Sequence, residues 1–426
     1  MADCNRVRVA RMGAGASGKL IVFRALRGSE FIANATAKAV RTGVVAGAIF
    51  ALSACAGQGP GMGPGTGEQL AAPSPQGGAI GSGSVKVGLV LPLSAPGNAG
   101  LVAQSMKNSA ELAIAEFNSP NIQLLVKDDG GTSLGAQQAT QAAINEGAEI
   151  VLGPLFAQSV QAAGQVARTR GVPVIAFSTD TSAAARGVNL LSFLPESDIN
   201  RIVNYAFAQG KRSFAALVQD NAYGSVVEAA FKEAVARRGG RVVALERYDF
   251  DQTRMQAPIK TIAQAAGQVD AILIADGPDA VPLVAQQLVA NGVNTKRVQL
   301  LGTGLWDDQR VFSDTALAGG WYPAPDPSGF ANFSNRYRQK YGQDPVRTAT
   351  LSYDATALVA ALVKTQGGQR FAPEVITSAS GFNGNDGVFR FRQDGTNERG
   401  LAVFRVTPSG GQVISPAPKT FGGSGT

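Results

Sequence analysis

The residue types of this 426-residue chain exclude several kinds of catalytic chemistry. The sequence has no histidine, and its only cysteines are Cys4 and Cys55. Ser-His-Asp and Cys-His nucleophiles and the usual zinc sites therefore cannot form. Gly13-Ala14-Gly15-Ala16-Ser17-Gly18 matches the G-x-G-x-x-G phosphate-binding pattern, but no strand–helix unit is predicted around it. Catalysis by carboxylates or lysines alone remains open, although no spacing of these residues indicates it. We therefore predict that the protein is not an enzyme and that it has no cofactor or metal site.

Cys55 ends a segment that is organised like a secretory signal. Lys38 and Arg41 precede the apolar run 43–51, which is too short for a permanent membrane span. Leu52-Ser53-Ala54-Cys55 resembles the lipobox of bacterial lipoproteins, which implies cleavage before Cys55 and lipidation of that residue. By analogy with lipoprotein sorting, Ala56 favours the outer membrane over the inner one. The alternative is a buried apolar helix that ends in an unrelated cysteine.

The basic charge of the chain belongs to the predicted signal. The formal net charge is +7, and residues 1–54 hold eight basic and two acidic side chains. From residue 55 onward the chain has 30 basic and 29 acidic residues. A nearly neutral mature chain has no general electrostatic attraction to nucleic acid. We therefore expect no nucleic-acid partner.

The composition divides the chain into a leader, a tether, a globular body and a tail. We expect 1–54 to be the signal peptide. Residues 56–84 contain ten glycines and four prolines, so 55–84 is predicted to be the lipidated cysteine with a flexible linker. Residues 409–426 are again rich in Gly, Ser and Pro and are predicted to be a flexible tail.

The globular body shows strands alternating with helices, and the pattern occurs twice. In the first half, buried-strand runs at 85–91, 122–128, 149–153 and 172–176 are separated by helical patterns. A second series starts at 213–218 and continues through 242–246, 271–275 and 298–302. The end, 387–391 and 401–406, is predicted to form a hairpin around Asp394-Gly395. The fold class is α/β, with two doubly wound parallel-sheet lobes and a ligand cleft at the strand ends.

Several segments, in order, resemble the type I periplasmic binding proteins of the Leu/Ile/Val-binding family. They cover about 85–406 and include Val87-Gly88-Leu89-Val90-Leu91-Pro92-Leu93-Ser94, Glu149-Ile150-Val151-Leu152-Gly153-Pro154-Leu155, Val172-Pro173-Val174-Ile175-Ala176-Phe177-Ser178, Asp220-Asn221-Ala222-Tyr223-Gly224 and 382–391. The resemblance implies two lobes joined by three crossovers, near 195–200, 321–327 and 365–369. Lobe one would be 85–198 plus 326–366, and lobe two would be 199–323 plus 368–406. Closure of the lobes around a ligand is implied as well.

The resemblance also implies ligand-binding positions. Relatives that bind amino acids hold the α-carboxylate with amides and hydroxyls at strand ends of lobe one. The matching residues, together with strand-end residues of lobe two, are Ser94, Asn98, Gln158, Ser159, Ser178, Thr179, Asp180, Tyr223, Asp276, Thr303 and Trp306. Tyr223 matches the tyrosine that closes over the ligand. The alternatives are ordinary helix caps for the Ser, Thr and Asp residues and packing within its own lobe for Tyr223.

The sequence departs from the amino-acid binders at two positions. Ala157 stands where a hydroxyl is common. Gly304 and Leu305 stand where an acid often binds the α-ammonium group, and Asp276, Asp307 or Asp180 could substitute for it. Because an unpaired ammonium group in a closed cleft is costly, these departures matter for the ligand.

The predicted function is a lipid-anchored extracytoplasmic binding protein that captures a small polar, amino-acid-like ligand for an ABC importer. Its partners would be that ligand, the permease and the membrane. The segment 152–155, after Gly147-Ala148, and the lipobox also resemble penicillin-binding-protein activators. Those lipoproteins stimulate a peptidoglycan synthase by direct contact, and this is the alternative function.

Overall fold

The computed structural model describes residues 78–421, so the predicted signal and Cys55 lie outside the described residues. The strands are β1 (Ala79–Ile80), β2 (Val85–Leu91), β3 (Ile122–Asp128), β4 (Ile150–Leu152), β5 (Val174–Ala176), β6 (Val188–Leu190), β7 (Ser213–Gln219), β8 (Arg241–Tyr248), β9 (Ala271–Ala275), β10 (Gln299–Leu301), β11 (Trp321–Ala324), β12 (Phe382–Gly384), β13 (Gly387–Phe391), β14 (Asn397–Arg399), β15 (Ala402–Thr407) and β16 (Gly410–Ser415). The helices are α1 (Asn98–Glu116), α2 (Ser133–Asn145), α3 (Ala157–Thr169), α4 (Pro195–Ala208), α5 (Ala222–Arg237), α6 (Gln256–Ala265), α7 (Val281–Ala290), α8 (Gln309–Phe312), α9 (Pro327–Tyr341), α10 (Ala349–Thr365) and α11 (Pro373–Ile376).

The strands form one principal sheet in each lobe. The order in lobe one is β1-β3-β2-β4-β5-β6, parallel except for β1. The order in lobe two is β16-β15-β11-β10-β9-β7-β8, parallel from β11 to β8 and antiparallel at β15 and β16. This confirms the predicted α/β fold class of two lobes with mainly parallel sheets. In such sheets the carboxyl ends of the parallel strands meet at one edge, where ligands bind.

Local sequence signals explain where several helices begin. Thr132, Asn221 and Asp326 each accept a backbone N–H with the side chain, at the starts of α2, α5 and α9. Such caps satisfy amides that have no partner inside the helix. The helix α9 ends at Gly342, whose φ of 70° is in the left-handed region that glycine adopts without strain.

Three short segments connect the lobes; the first lies just before the predicted 195–200, which forms the start of α4, and the third also differs from the prediction. The first two are 191–194, between β6 and α4, and 325–326, between β11 and α9. We expected the third near 365–369 and assigned 368–406 to lobe two. However, Ile376, Phe389 and Phe391 are buried in the core of lobe one, so the chain returns only at 400–401. The apolar side chains of the β12–β14 sheet face that core, which explains the difference.

Two segments that we expected to be flexible contain strands. Ala79–Ile80, in the predicted linker 55–84, pairs with β3, and Gly410–Ser415, in the predicted tail 409–426, pairs with β15. The predicted hairpin is also different. The turn at Asp394-Gly395 joins β13 to β14, while β15 pairs with β11 and β16. The pairing of β1 and β16 satisfies backbone hydrogen-bonding groups at the edges of the two sheets. The apolar pattern of the sequence gives no sign of this pairing.

Candidate functional site

Ser94 and Asn98 follow β2 at the exposed end of lobe one. The amide of Ser94 donates to Asp128 at 3.2 and 3.1 Å from its two carboxylate oxygens. Burial raises the pKa of Asp128, but hydrogen bonds from Ser94 and Gly130 outweigh it and the net effect is to lower this pKa. Asn98 is the first residue of α1 and is exposed. The loop is therefore held by its own hydrogen bonds.

Gln158 and Ser159 lie on the first turn of α3, after β4. Gln158 is exposed, whereas Ser159 is fully buried and its hydroxyl has no hydrogen-bond partner within residues 78–421. Phe156 precedes the helix and offers no side-chain cap. The two predicted residues thus point to different environments, and only Gln158 is available to solvent.

The loop after β5 uses its polar side chains for local turns. Ser178 is buried, and its Oγ accepts the amide of Asp180 at 3.1 Å. The Asp180 carboxylate accepts the amide of Ser182 at 2.9 Å, which caps a short 3-10 helix. Thr179 is exposed between them. Ser178 and Asp180 therefore show the cap geometry that was the alternative to ligand contact.

Tyr223 and Thr303 meet at the edge of lobe two. The hydroxyl of Tyr223 donates to Thr303 Oγ1 at 2.9 Å, and Thr303 is fully buried. Burial and the carboxylates of Asp198 and Asp276 raise the pKa of Tyr223, so its hydroxyl remains a donor. The next residue is Gly224, where a Cβ atom would lie 1.8 Å from the carbonyl oxygen of Gln219. The sharp start of α5 therefore requires this glycine.

Asp276 is held inside lobe two. Its side chain is 7% exposed, and its oxygens accept the Tyr248 hydroxyl at 2.5 Å and the Gly277 amide at 2.7 Å. Burial raises the pKa of this carboxyl above its ordinary value, while the two hydrogen bonds oppose that shift. Asp276 therefore has protein partners for both oxygens.

Trp306 does not face the cleft, contrary to the prediction from its position after β10. Its ring is fully buried in the core of lobe two, and its indole N–H donates to the carbonyl of Ile274 at 3.1 Å. A Cβ atom at Gly302 would lie 2.1 Å from this ring. Gly302, four residues before Trp306, leaves the space that the ring occupies.

A cavity of about 260 Å³ lies where the three crossovers meet. All three crossovers and lobe two contribute to its lining, which comprises Phe193, Leu194, Pro195, Ser197, Asp198, Tyr223, Gly304, Leu305, Asp307, Ala324, Pro325, Arg347, Arg399 and Leu401. Among the predicted site residues, only Tyr223 lies in this lining. Cavities of about 370 and 380 Å³ occur elsewhere in the described chain, but neither is lined by any predicted site residue. The smaller cavity is therefore the candidate site.

Asp198 places a carboxyl group next to the loop at Gly304 and Leu305. Its carboxylate accepts the amide of Gly304 at 2.8 Å, and a Cβ atom at Gly304 would lie 3.1 Å from the same oxygen. Burial, together with the charge of Glu196, raises the pKa of Asp198 to about 7, although the Gly304 amide opposes the shift. Sequence analysis missed Asp198 because it belongs to the first turn of α4, which was assigned to a crossover.

Arg347 and Arg399 are the two arginines in the lining of the cavity. Arg347 donates to both oxygens of the buried Asp386, at 2.7 and 3.0 Å. Each guanidinium lies 4.6 Å from the centre of the Phe193 ring. Burial lowers the pKa of Arg399, although Asp386 and Asp354 oppose this. No sequence signal marked these arginines, because their partners are distant in the chain.

The remaining acid of the lining, Asp307, belongs to lobe two. Its carboxylate accepts the hydroxyl of Tyr322 at 3.0 Å. The lining of the cavity thus includes two arginines and the carboxyl groups of Asp198 and Asp307. Within the described residues, no group of three or more His, Cys, Asp or Glu side chains could hold a metal ion. None of the helices between residues 78 and 421 is both long and apolar enough to cross a bilayer.

A family model described as periplasmic binding protein matches residues 84–412. No curated protein matches the chain. Among solved structures, one from Rhodospirillum rubrum, described as a branched-chain amino acid ABC transporter, is 20% identical with a TM-score of 0.69. The match covers 78% of this chain and 99% of that chain.

Two further structures carry ligands. A substrate-binding protein from Desulfitobacterium hafniense in complex with Leu is 18% identical, with a TM-score of 0.57, and the match covers 78% of this chain and 99% of that one. A solute-binding protein from Rhodopseudomonas palustris in complex with 3,4-dihydroxybenzoic acid is 20% identical, with a TM-score of 0.55 and coverage of 79% and 96%. At these identities the likeness concerns the fold.

Proposed function

The chain belongs to the periplasmic binding protein family, and we propose that it captures a small polar, amino-acid-like solute in the cavity at the crossovers for an ABC importer. The observation that carries this proposal is the cavity itself. Both lobes line it, and it brings together charged side chains of opposite sign. Family membership implies an extracytoplasmic location, and the lipid anchor at Cys55 remains part of the proposal.

Capture would work through movement of the lobes about the three crossovers. Tyr223, Gly304 and Leu305 come from lobe two, while Arg347 lies at the start of α10, which packs in lobe one. A solute that contacts both walls stabilises the arrangement in which the walls are close. The closed form would then be the one that the permease recognises.

The test is a thermal-shift series on the full chain in detergent. Amino acids, short peptides, organic acids and peptidoglycan fragments are added one at a time. A solute at 100 times its Kd should stabilise the folded protein by about 2.7 kcal/mol. Small-angle scattering of the same samples should show a smaller radius of gyration when the solute is bound. If none of these compounds raises the melting temperature, solute capture is wrong for these classes, and the contact with a peptidoglycan synthase becomes the function to test.

A further inference from the structure

Arg399 is a buried cation whose hydrogen-bonding capacity is largely unused. The residue is 5% exposed, and its Nε donates to the carbonyl of Ser192 at 3.0 Å. Its two terminal nitrogens are buried and have no partner within the described chain. Buried guanidinium groups are normally paired, because an unpaired one loses its hydration without compensation. Since Arg399 lines the cavity, a bound anion could supply the missing acceptors.

Asp354 does not supply the missing acceptors of Arg399. One of its carboxylate oxygens is also buried without a partner among the described residues, and the charges of Asp386 and Asp354 both act on Arg399. However, the terminal nitrogens of an arginine carry four N–H groups in a planar fork. A single acceptor oxygen, direct or through one water, leaves most of them unsatisfied. A second acceptor is still required.

Arg347 supports the same wall of the cavity. Its side chain is 42% exposed, yet it is fixed from two sides. Asp386 binds its fork in a bidentate manner, and its guanidinium lies 4.6 Å from the ring centres of both Phe193 and Phe330. Because Phe193 also contacts Arg399, the ring holds both guanidinium groups in place. Planar guanidinium groups that are fixed in this way suit a planar carboxylate.

The carboxylate of Asp198 also lines the cavity. Its one hydrogen bond comes from the Gly304 amide, and it forms no ion pair with any described residue. The charged or titratable neighbours that act on it are Glu196 and Tyr223, and neither is a cation. The cavity lining therefore contains a guanidinium group with unused donors and a carboxyl group without a cationic partner among the described residues.

We propose that Arg399, supported by Arg347, binds the carboxylate of the captured solute, and that Asp198 binds its amino group. This assignment rests on the proposed function. It differs from the expectation that Ser159, Ser178 and Thr179 hold the carboxylate, because none of these three residues lines the cavity and Ser178 already accepts a local amide. The residue that selects for carboxylates is then Arg399, next to the third crossover.

The experiment first uses changes in the solute, so that folding of a variant is not an issue. Isothermal titration on the full chain identifies the best binder among the proteinogenic amino acids. That amino acid is then compared with its amide, which lacks the carboxylate, and with its deaminated acid, which lacks the amino group. We expect each derivative to bind about 10- to 100-fold more weakly, the range for losing one or two charge-assisted hydrogen bonds.

Variants of the protein then test which residue binds the carboxylate of the solute and which binds its amino group. Arg399→Gln should weaken the amino acid about 10- to 100-fold and leave the affinity for its amide nearly unchanged. Asp198→Asn should do the reverse, with the deaminated acid as the insensitive probe. Arg390→Gln is the matched control, because Arg390 pairs with Glu398 on the same small sheet and lies outside the cavity lining. Arg399→Lys keeps the charge if the glutamine variant does not fold.

Each contrary result has a separate meaning. Equal affinity for the amino acid and its amide overturns the role of Arg399, as does an unchanged affinity in Arg399→Gln. Binding of a sugar or an amine without a carboxylate overturns the assignment but leaves solute capture standing. Absence of binding by amino acids, organic acids and every other compound tested overturns both.

Discussion

The strand-end loops of lobe one and the cavity at the crossovers both collect polar side chains, but they treat them differently. In the loops, Ser178 and Asp180 accept nearby amides, and the amide of Ser94 donates to Asp128. In the cavity, Asp198 and Arg399 retain unused capacity after their protein contacts. Ser178, Asp180 and Asp128 are thus satisfied by the protein itself, so a position at a strand end does not by itself indicate a ligand contact.

Replacing Trp306 tests the part of the predicted site that lies in the core. Trp306→Ala removes a fully buried ring and its hydrogen bond to Ile274, so it should lower the free energy of unfolding by about 3–5 kcal/mol. Urea denaturation measures this loss. Trp306→Phe, which keeps an aromatic ring, should lose less. A near-neutral Trp306→Ala variant would contradict the buried position.

The variant Asp198→Asn tests whether the pKa of Asp198 is raised, by its effect on the pH dependence of stability. Because the folded-state pKa of Asp198 is raised from 3.8 to about 7, the protonated form is favoured in the folded protein. The stabilisation that comes from protonated Asp198 is complete below pH 4 and is lost as the pH rises to about 7. The complete shift corresponds to ~4 kcal/mol, and partial exposure reduces this to roughly 1–2 kcal/mol.

The measurement is the difference in unfolding free energy between the two proteins from pH 4 to pH 8. The wild type should lose stability relative to Asp198→Asn as the pH rises. Asp129 and Asp354, whose pKa values burial raises to about 6, titrate in both proteins and cancel in this difference. A difference that does not vary with pH would show that Asp198 is not perturbed.

Tyr223→Phe separates the ring from the hydroxyl at the cavity. The variant loses the 2.9 Å hydrogen bond to Thr303, which should cost about 1 kcal/mol of stability. Since the hydroxyl is already used within lobe two, solute affinity should change less than twofold, whereas Tyr223→Ala should weaken it strongly. Titration calorimetry on both variants makes the comparison. A large affinity loss in Tyr223→Phe would mean that the hydroxyl contacts the solute.

Ser159→Ala should have the smallest effect. The hydroxyl is buried and has no partner in the described chain, so its removal should leave stability unchanged or raise it by up to about 1 kcal/mol. Thr132→Ala is the matched control, because that hydroxyl caps α2 at 3.0 Å and its loss should cost about 1 kcal/mol. Thermal unfolding measures both. Loss of solute binding in Ser159→Ala would restore the loop as the carboxylate site.

The sequence predicted the sheets better than the site. Runs such as Val85–Leu91 and Ala271–Ala275 are apolar and bounded by turns, so their strands were predicted at these positions. Tyr223 was predicted from a local motif, and it lines the cavity. Asp198 and Arg399 were missed because their positions depend on the crossovers. Arg399 stands in a polar stretch, and its burial arises from Phe193, about half the chain away.

The path of the chain through the lobes also determines when each lobe can be completed during synthesis. The core that contains Val87 needs Phe391, and the core that contains Phe214 needs Val403. At roughly 5–20 residues per second, the first strand waits on the order of tens of seconds for its last partner. Until then the core of lobe one is incomplete, although residues of α1 can already pack on this strand.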